Sequence, residues 1–384
     1  MNLSLKNLDA YIFTFLIILP WSPVFSWMIG LDGKIIFLLL LLGFLFASFN
    51  KFSVNKITLL SLVLFVTILL LLSIIGNKPN LLISMLGLPL SVFLTQHIFK
   101  CKGKIELVVS LLTLFSTFAI IFSFIGQVYA FLGGSSILEI SNYDGRLNHL
   151  YLTTFSNAHI GNLIRPSFIY DEPGALSFVI IFTVIVRELS GRSKLHTSLL
   201  LLSGMVTLSL THFLVLLIYI FSNFRGRYIL VSSFLLLPLA ILILNAEIFS
   251  PFSNRVDDLI DGKDNNRTRQ IDNFFNNVEI SEVFWVGVND CSDPDHCYEK
   301  YGDITSNPLS VFFGKGILGL ICQLFIYGVL VRCLFKLELF FPAMAMILLI
   351  TQRPYISAVG YSTMIVFTMY YLNYTKNHRL KNKS

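Results

Sequence analysis

The residues best suited to chemistry stand together in Arg165-Pro166-Ser167-Phe168-Ile169-Tyr170-Asp171-Glu172-Pro173-Gly174, which closes a polar stretch and runs into an apolar segment beginning at Ala175. Arg165 offers a planar fork of donors that stays charged and suits phosphate or pyrophosphate. Asp171 and Glu172 are carboxylates of the kind that serve as a general base toward an attacking hydroxyl in sugar transfer. Charge at the mouth of an apolar helix is costly, and more often functional than decorative. A second account of the acids is structural: acidic residues before a helix complement its dipole, and Pro173 suits the first helical position. Sequence alone leaves both accounts standing. The stretch is expected to form the edge of an active site facing out of the cytoplasm.

Those residues need a scaffold, and composition indicates its class. Of 384 residues, 55% are hydrophobic and 13% charged, with a mean hydropathy of +0.75, against roughly 25% charged in a soluble domain. Repeated apolar runs approach the ~20 residues needed to span a bilayer. They predict an all-α, polytopic integral membrane protein with a single membrane domain over residues 1–384. The alternating segments of a β-barrel are absent. Lys6 precedes the first run with no small-residue cleavage site after it, so that run reads as a retained helix rather than a signal peptide.

Apolar segments fall at Tyr11–Ile29, Ile35–Phe49, Ile57–Ile75, Leu81–Phe99, Ile105–Leu132 and Gly174–Val186. Thr197–Phe221, Tyr228–Ile248, Pro308–Val331, Leu337–Ile350 and Ile356–Tyr371 follow. Short basic connections (Lys51 and Lys56; Lys100, Lys102 and Lys104; Arg187, Arg192 and Lys194; Arg332 and Lys336) and the basic tail from Lys376 mark the cytoplasmic side. Thr197–Phe221 reads as one helix or as two. Keeping Arg225 and Arg227 cytoplasmic requires a break near Ser209–His212. The cluster Thr207, Ser209, Thr211 and His212 favours that break, because irregular backbone is tolerated at membrane depth beside a cavity. With it the count is about twelve transmembrane helices, both termini cytoplasmic. Pro20, Pro23 and Pro89 are expected to kink their helices. No internal repeat is visible, which weighs against transporters built from two related halves.

This topology puts two long loops, 133–173 and 249–306, and the Thr351–Pro354 turn on one extracytoplasmic face. The second loop holds twelve Asp and Glu against five Lys and Arg, within a chain of net charge +6. The basic surplus therefore sits in short loops and gives no sign of nucleic-acid binding. Arginines on that face, namely Arg165, Arg255, Arg267, Arg269 and Arg353, are candidates for phosphate, the alternative being ordinary pairing with loop carboxylates. His149, His159, His212 and His296 lack metal-ligand spacing, so no metal site is expected. Cys291 and Cys297 are the two cysteines of the second loop and would form a local disulfide in an oxidising compartment. A metal reading of the same cluster, with His296 and its aspartates, fits no standard spacing.

The second loop leads into Ser306-Asn307-Pro308-Leu309-Ser310, with Gly314-Lys315-Gly316-Ile317-Leu318-Gly319 inside the following helix. Together with the Arg165–Gly174 stretch, Arg267, Arg269 and the two long loops, this pattern resembles the O-antigen and capsule repeat-unit polymerases (Wzy type), in the wider group that includes O-antigen ligases. The resemblance implies a metal-independent, GT-C-like glycosyltransferase of the bacterial cytoplasmic (inner) membrane, without cofactor. Its donor and acceptor would be undecaprenyl-diphosphate-linked glycans. Its expected partners are a flippase and a chain-length regulator, besides membrane lipid. It also implies Glu172 and Arg165 as catalytic residues, with Arg267, Arg269, Arg353, Asp171 and Asn307 binding substrate. Ligases of the wider group carry a His before that Asn, where this chain has Ser306, which favours the polymerase. The alternatives are an O-antigen ligase, and a flippase or solute carrier.

Overall fold

The structure is a computed structural model that describes residues 7–20, 22–30, 33–48, 55–76, 78, 81–82, 85–101, 103–141, 147–160, 163–223, 271–272, 274–276, 278–288 and 307–381. Most of these are helical. The helices are α1 (Leu8–Ile18), α2 (Pro23–Ile29), α3 (Gly33–Ser48), α4 (Lys56–Ile75), α5 (Gly87–Lys100), α6 (Lys104–Phe131) and α7 (Pro173–Leu189). They continue with α8 (Lys194–Ser203), α9 (Leu210–Asn223), α10 (Ile280–Val283), α11 (Ser310–Leu334), α12 (Leu337–Gln352) and α13 (Val359–Lys381). Three stretches are long and apolar enough to cross a membrane: Thr58–Ile75, Lys104–Phe131 and Ser310–Leu334. The pair α1 and α2, bent by 111°, makes a fourth if it is one span. About twelve spans are expected from the sequence, and this number is not shown. Several apolar segments are short or broken, and Tyr228–Ile248 lies outside the described residues.

The central helix is α7. Every residue from Pro173 to Arg187 is buried, so an apolar face on all sides meets protein rather than solvent or lipid. Around it pack α6, α8, α9, α12 and α13. The opposite case is α4, where only 11% of the apolar window is buried, as for a helix facing lipid. The last helix, α13, lies along α5 and also touches α1 and α7. Ser91 Oγ joins α5 to it, 2.8 Å from Ser362 Oγ and 2.9 Å from Thr363 Oγ1. Such hydroxyl pairs hold apolar helices together where the hydrophobic effect gives no preference for a neighbour.

The expected breaks have identifiable causes. Ser22 caps α2, its Oγ accepting from the Phe25 N–H at 3.2 Å with Pro23 in the first turn. Between α8 and α9 the helix tightens to a 3-10 turn over Gly204–Thr207 and ends at Leu208 with φ 48°, close to the break expected at Ser209–His212. His212 ties the two halves to α7. Its Nε2 stands 2.8 Å from the Leu201 carbonyl, so it donates, and Nδ1 accepts from Ser177 Oγ at 3.1 Å. Pro89 differs from expectation. It sits in the first turn of α5, where a missing N–H breaks no helical bond.

The expectation of an all-α chain is met only in the main. Residues 138–164 of the first loop hold an antiparallel three-stranded meander, β1 (Leu138–Ser141), β2 (Leu147–Tyr151) and β3 (Thr154–Ser156), and a two-stranded pair, β4 (His159–Ile160) with β5 (Leu163–Ile164). Glu139 faces His149 across the β1–β2 register, Oε1 to Nδ1 at 2.9 Å. The meander rests on α6 at Gly126, where a Cβ would stand 2.5 Å from Thr154 Cγ2 and the Tyr151 carbonyl. Gln127 Nε2 donates to the Ile164 carbonyl at 3.1 Å. The small sheet is thus fixed to the end of a long helix, and it carries the chain toward residue 165.

Candidate functional site

The stretch from Arg165 to Tyr170 is sewn to β3. Phe155 N–H donates to the Phe168 carbonyl at 2.9 Å, and Ser167 N–H donates to the Phe155 carbonyl at 2.7 Å. Thr154 Oγ1 accepts from the Phe168 N–H at 2.8 Å. Phe168 has φ 57°, a left-handed conformation that a side chain adopts at a cost of about 1–3 kcal/mol. Stacking on Phe122 of α6, with ring centres 6.0 Å apart, helps to hold it there. From the other side, Ser22 Oγ donates to the Ile169 carbonyl at 2.6 Å. Two separate parts of the fold therefore fix the backbone that delivers Asp171 and Glu172.

Glu172 occupies the N-cap of α7 in extended conformation, with Pro173 next in the helix. Its carbonyl accepts from the Ala175 N–H at 2.9 Å. The helix-terminal account of this acid therefore holds for its backbone. Its side chain makes no capping bond and is ion-paired instead with Arg353. Arg353 ends α12, its N–H donating to the Leu349 carbonyl at 2.9 Å. Its Nη1 donates to Tyr361 Oη at 3.4 Å, and its guanidinium carbon lies 5.9 Å from the centre of the Tyr355 ring, within cation–π range. Tyr361 is itself held edge-on by Phe178 of α7 at 4.7 Å.

Space for the guanidinium comes from Gly174, where a Cβ would stand 2.9 Å from Arg353 Nη2. Burial alone would pull the Arg353 guanidinium down; Tyr361, Glu172 and Asp171 outweigh it and hold the group above its ordinary range. It is therefore a permanent cation. The two partners are unequally open: 9% of the Arg353 side chain is exposed against 29% for Glu172. Of the two, the carboxylate is the more accessible among the described residues. Such an arrangement presents an oriented, charged acceptor to a hydroxyl group.

The other expected residues are spread out. Arg165 is half-buried; its N–H donates to the Ala158 carbonyl at 2.9 Å and its carbonyl accepts from Ser156 Oγ at 2.8 Å. Asn307 is fully buried, and its Oδ1 accepts from the Leu309 N–H at 2.9 Å. This side-chain turn starts α11 and gives Asn307 a structural task. Arg255, Arg267, Arg269, Cys291, Cys297 and Ser306 lie outside the described residues.

Two clusters escape the reading by motif. Lys78 Nζ donates to the carbonyls of Val286, at 2.9 Å, Gly314, at 3.3 Å, and Val288. Two residues after Gly314, at Gly316, α11 departs from helical geometry with φ 64° and ψ −157°. In the second cluster Asp9 pairs with His97 Nε2 at 2.9 Å and with Lys104, all three buried. The available signal for that cluster was an acid placed just ahead of the first apolar run, since Asp9 and Asp32 are the only carboxylates before Glu106. Comparison with protein-family models, with curated proteins and with solved structures finds no match to this chain.

Proposed function

We propose that this chain polymerises undecaprenyl-diphosphate-linked oligosaccharide repeat units into a surface polysaccharide, on the extracytoplasmic side of a bacterial cytoplasmic membrane. The chain would cross that membrane about twelve times, with both termini in the cytoplasm. In the reaction an acceptor-sugar hydroxyl attacks the anomeric carbon of the donor glycan. The carbon–oxygen bond to the diphosphate breaks, and undecaprenyl diphosphate leaves with the bonding electrons. Glu172 takes the hydroxyl proton, and Arg165 stabilises the departing diphosphate, with Arg267 and Arg269 as further cations. The observation that carries the reading is the Glu172 carboxylate, fixed at the start of the central helix by a buried arginine yet still partly open.

The experiment is deletion of the gene, complemented with wild type, Glu172→Gln and Arg165→Ala, with the surface glycan resolved on a gel and protein levels checked. The reading expects a single capped repeat unit in the deletion strain and in both variants. Full-length polymer left on undecaprenyl diphosphate would make the chain a ligase, and an unchanged glycan would overturn the reading altogether.

A further inference from the structure

Arg353 stands behind Glu172, and the usual expectation for an arginine in such a place is to bind phosphate directly. The geometry points to a different role. We infer that Arg353 is a positioning residue, which orients the Glu172 carboxylate for its hydroxyl substrate and does not itself contact the diphosphate. The inference rests on the polymerase reading of the site.

Three observations carry it. The guanidinium is nine-tenths covered, whereas its carboxylate partner is the more exposed of the two. Two of its nitrogens are directed to protein, Nη2 to Glu172 and Nη1 to Tyr361 Oη, 3.4 Å away, while Nε is buried beside Gly174 with no hydrogen-bond partner among the described residues. Its remaining surroundings are the Tyr355 ring and the first turn of α7 at Gly174, which approaches so closely that a Cβ would press on Nη2 at 2.9 Å. A diphosphate would have to displace Glu172 and enter this walled space to reach Nη2. An acceptor hydroxyl needs only to reach Glu172. The cation therefore acts through the carboxylate. It holds one oxygen in place and favours the ionised form that accepts a proton.

The test uses the full-length protein in native membrane with a lipid-linked repeat unit as substrate, and measures polymerisation against pH for wild type, Arg353→Gln, Arg353→Lys and Glu172→Gln. A positioning role predicts that Arg353→Gln loses most activity and moves the acid limb of the profile to higher pH, because a carboxylate without its cation gains its proton more readily. Arg353→Lys should restore part of the activity and the wild-type limb, while KM for the lipid-linked donor stays within about threefold in both variants. A large rise in donor KM with an unmoved acid limb would overturn the inference and return Arg353 to phosphate binding. Full activity in Glu172→Gln would instead sink the underlying reading of the site. The folding of each variant is checked by its elution as a single species in detergent.

Discussion

Substituting Gly316 by Ala should unfold the entry of α11, while the same change two residues earlier should be harmless. Gly316 has φ 64° and ψ −157°, a region essentially restricted to glycine, with a cost of about 1–3 kcal/mol for any other residue. A Cβ there would also lie 2.5 Å from the Trp285 carbonyl carbon and oxygen and 2.7 Å from the Val286 nitrogen. These are backbone atoms, so no rotamer change relieves the contact. The neighbouring bond from the Ile317 N–H to the Phe284 carbonyl, 2.7 Å long, would have to open, at about 1 kcal/mol. Together the terms give a loss of about 2–4 kcal/mol. At Gly314 and Gly328 of the same helix nothing lies within 4 Å of an added Cβ, and Ala should leave stability within about 1 kcal/mol of wild type. The assay is reversible denaturant unfolding of the purified full-length protein in detergent, followed by tryptophan fluorescence. Equal effects at Gly314 and Gly316, or a tolerated Gly316→Ala, would refute the account of this kink.

Three further outcomes are expected. Lys78→Met removes the ammonium shared by the Val286, Val288 and Gly314 carbonyls and should cost about 1.5–3 kcal/mol in the same unfolding assay, with a null result arguing against that contact. Asp9→Asn leaves Lys104 buried without its counter-charge and should destabilise by about 3–5 kcal/mol. A combined Asp9→Asn, Lys104→Gln chain should lose less than the sum of the two single changes. Gly174→Ala should displace the Arg353 guanidinium from Glu172, since the new methyl group would stand 2.9 Å from Nη2. On the polymerase reading, polymerisation in the complementation strain should then fall, with some loss of thermal stability because the buried guanidinium is parted from its counter-charge, and undiminished polymer would count against the ion pair's role.

Local features of the fold were legible because they depend on near neighbours in the chain. Pro173 after an acid signalled the start of α7, and the polar run Thr207–His212 signalled the broken segment between α8 and α9. The Pro20–Pro23 stretch marked the corner between α1 and α2. The small sheet was not legible, because its strands are two to five residues long and too brief for alternation to stand out from a polar loop. The Gly316 kink was hidden for another reason: a glycine within an apolar run carries no mark of the backbone that approaches it. At the site, the sequence picked out Glu172 and Arg353 individually. Their pairing joins residues 181 apart in the chain, and no periodicity connects such distant positions. Asp9, His97 and Lys104 were masked similarly, each reading alone as an ordinary helix end.

The place of α13 has a consequence for biosynthesis. It leaves the ribosome after the other described helices, yet its hydroxyls Ser362 and Thr363 supply the partners of Ser91, and it touches α1 and α7 besides α5. Until α13 is made, this seam among the earlier helices therefore stays open. The bundle closes only when α13 arrives, so a ribosome stalled before residue 359 would leave the preceding helices made but unsealed. Damage to α13 should then appear as degradation of the whole chain rather than as loss of one helix.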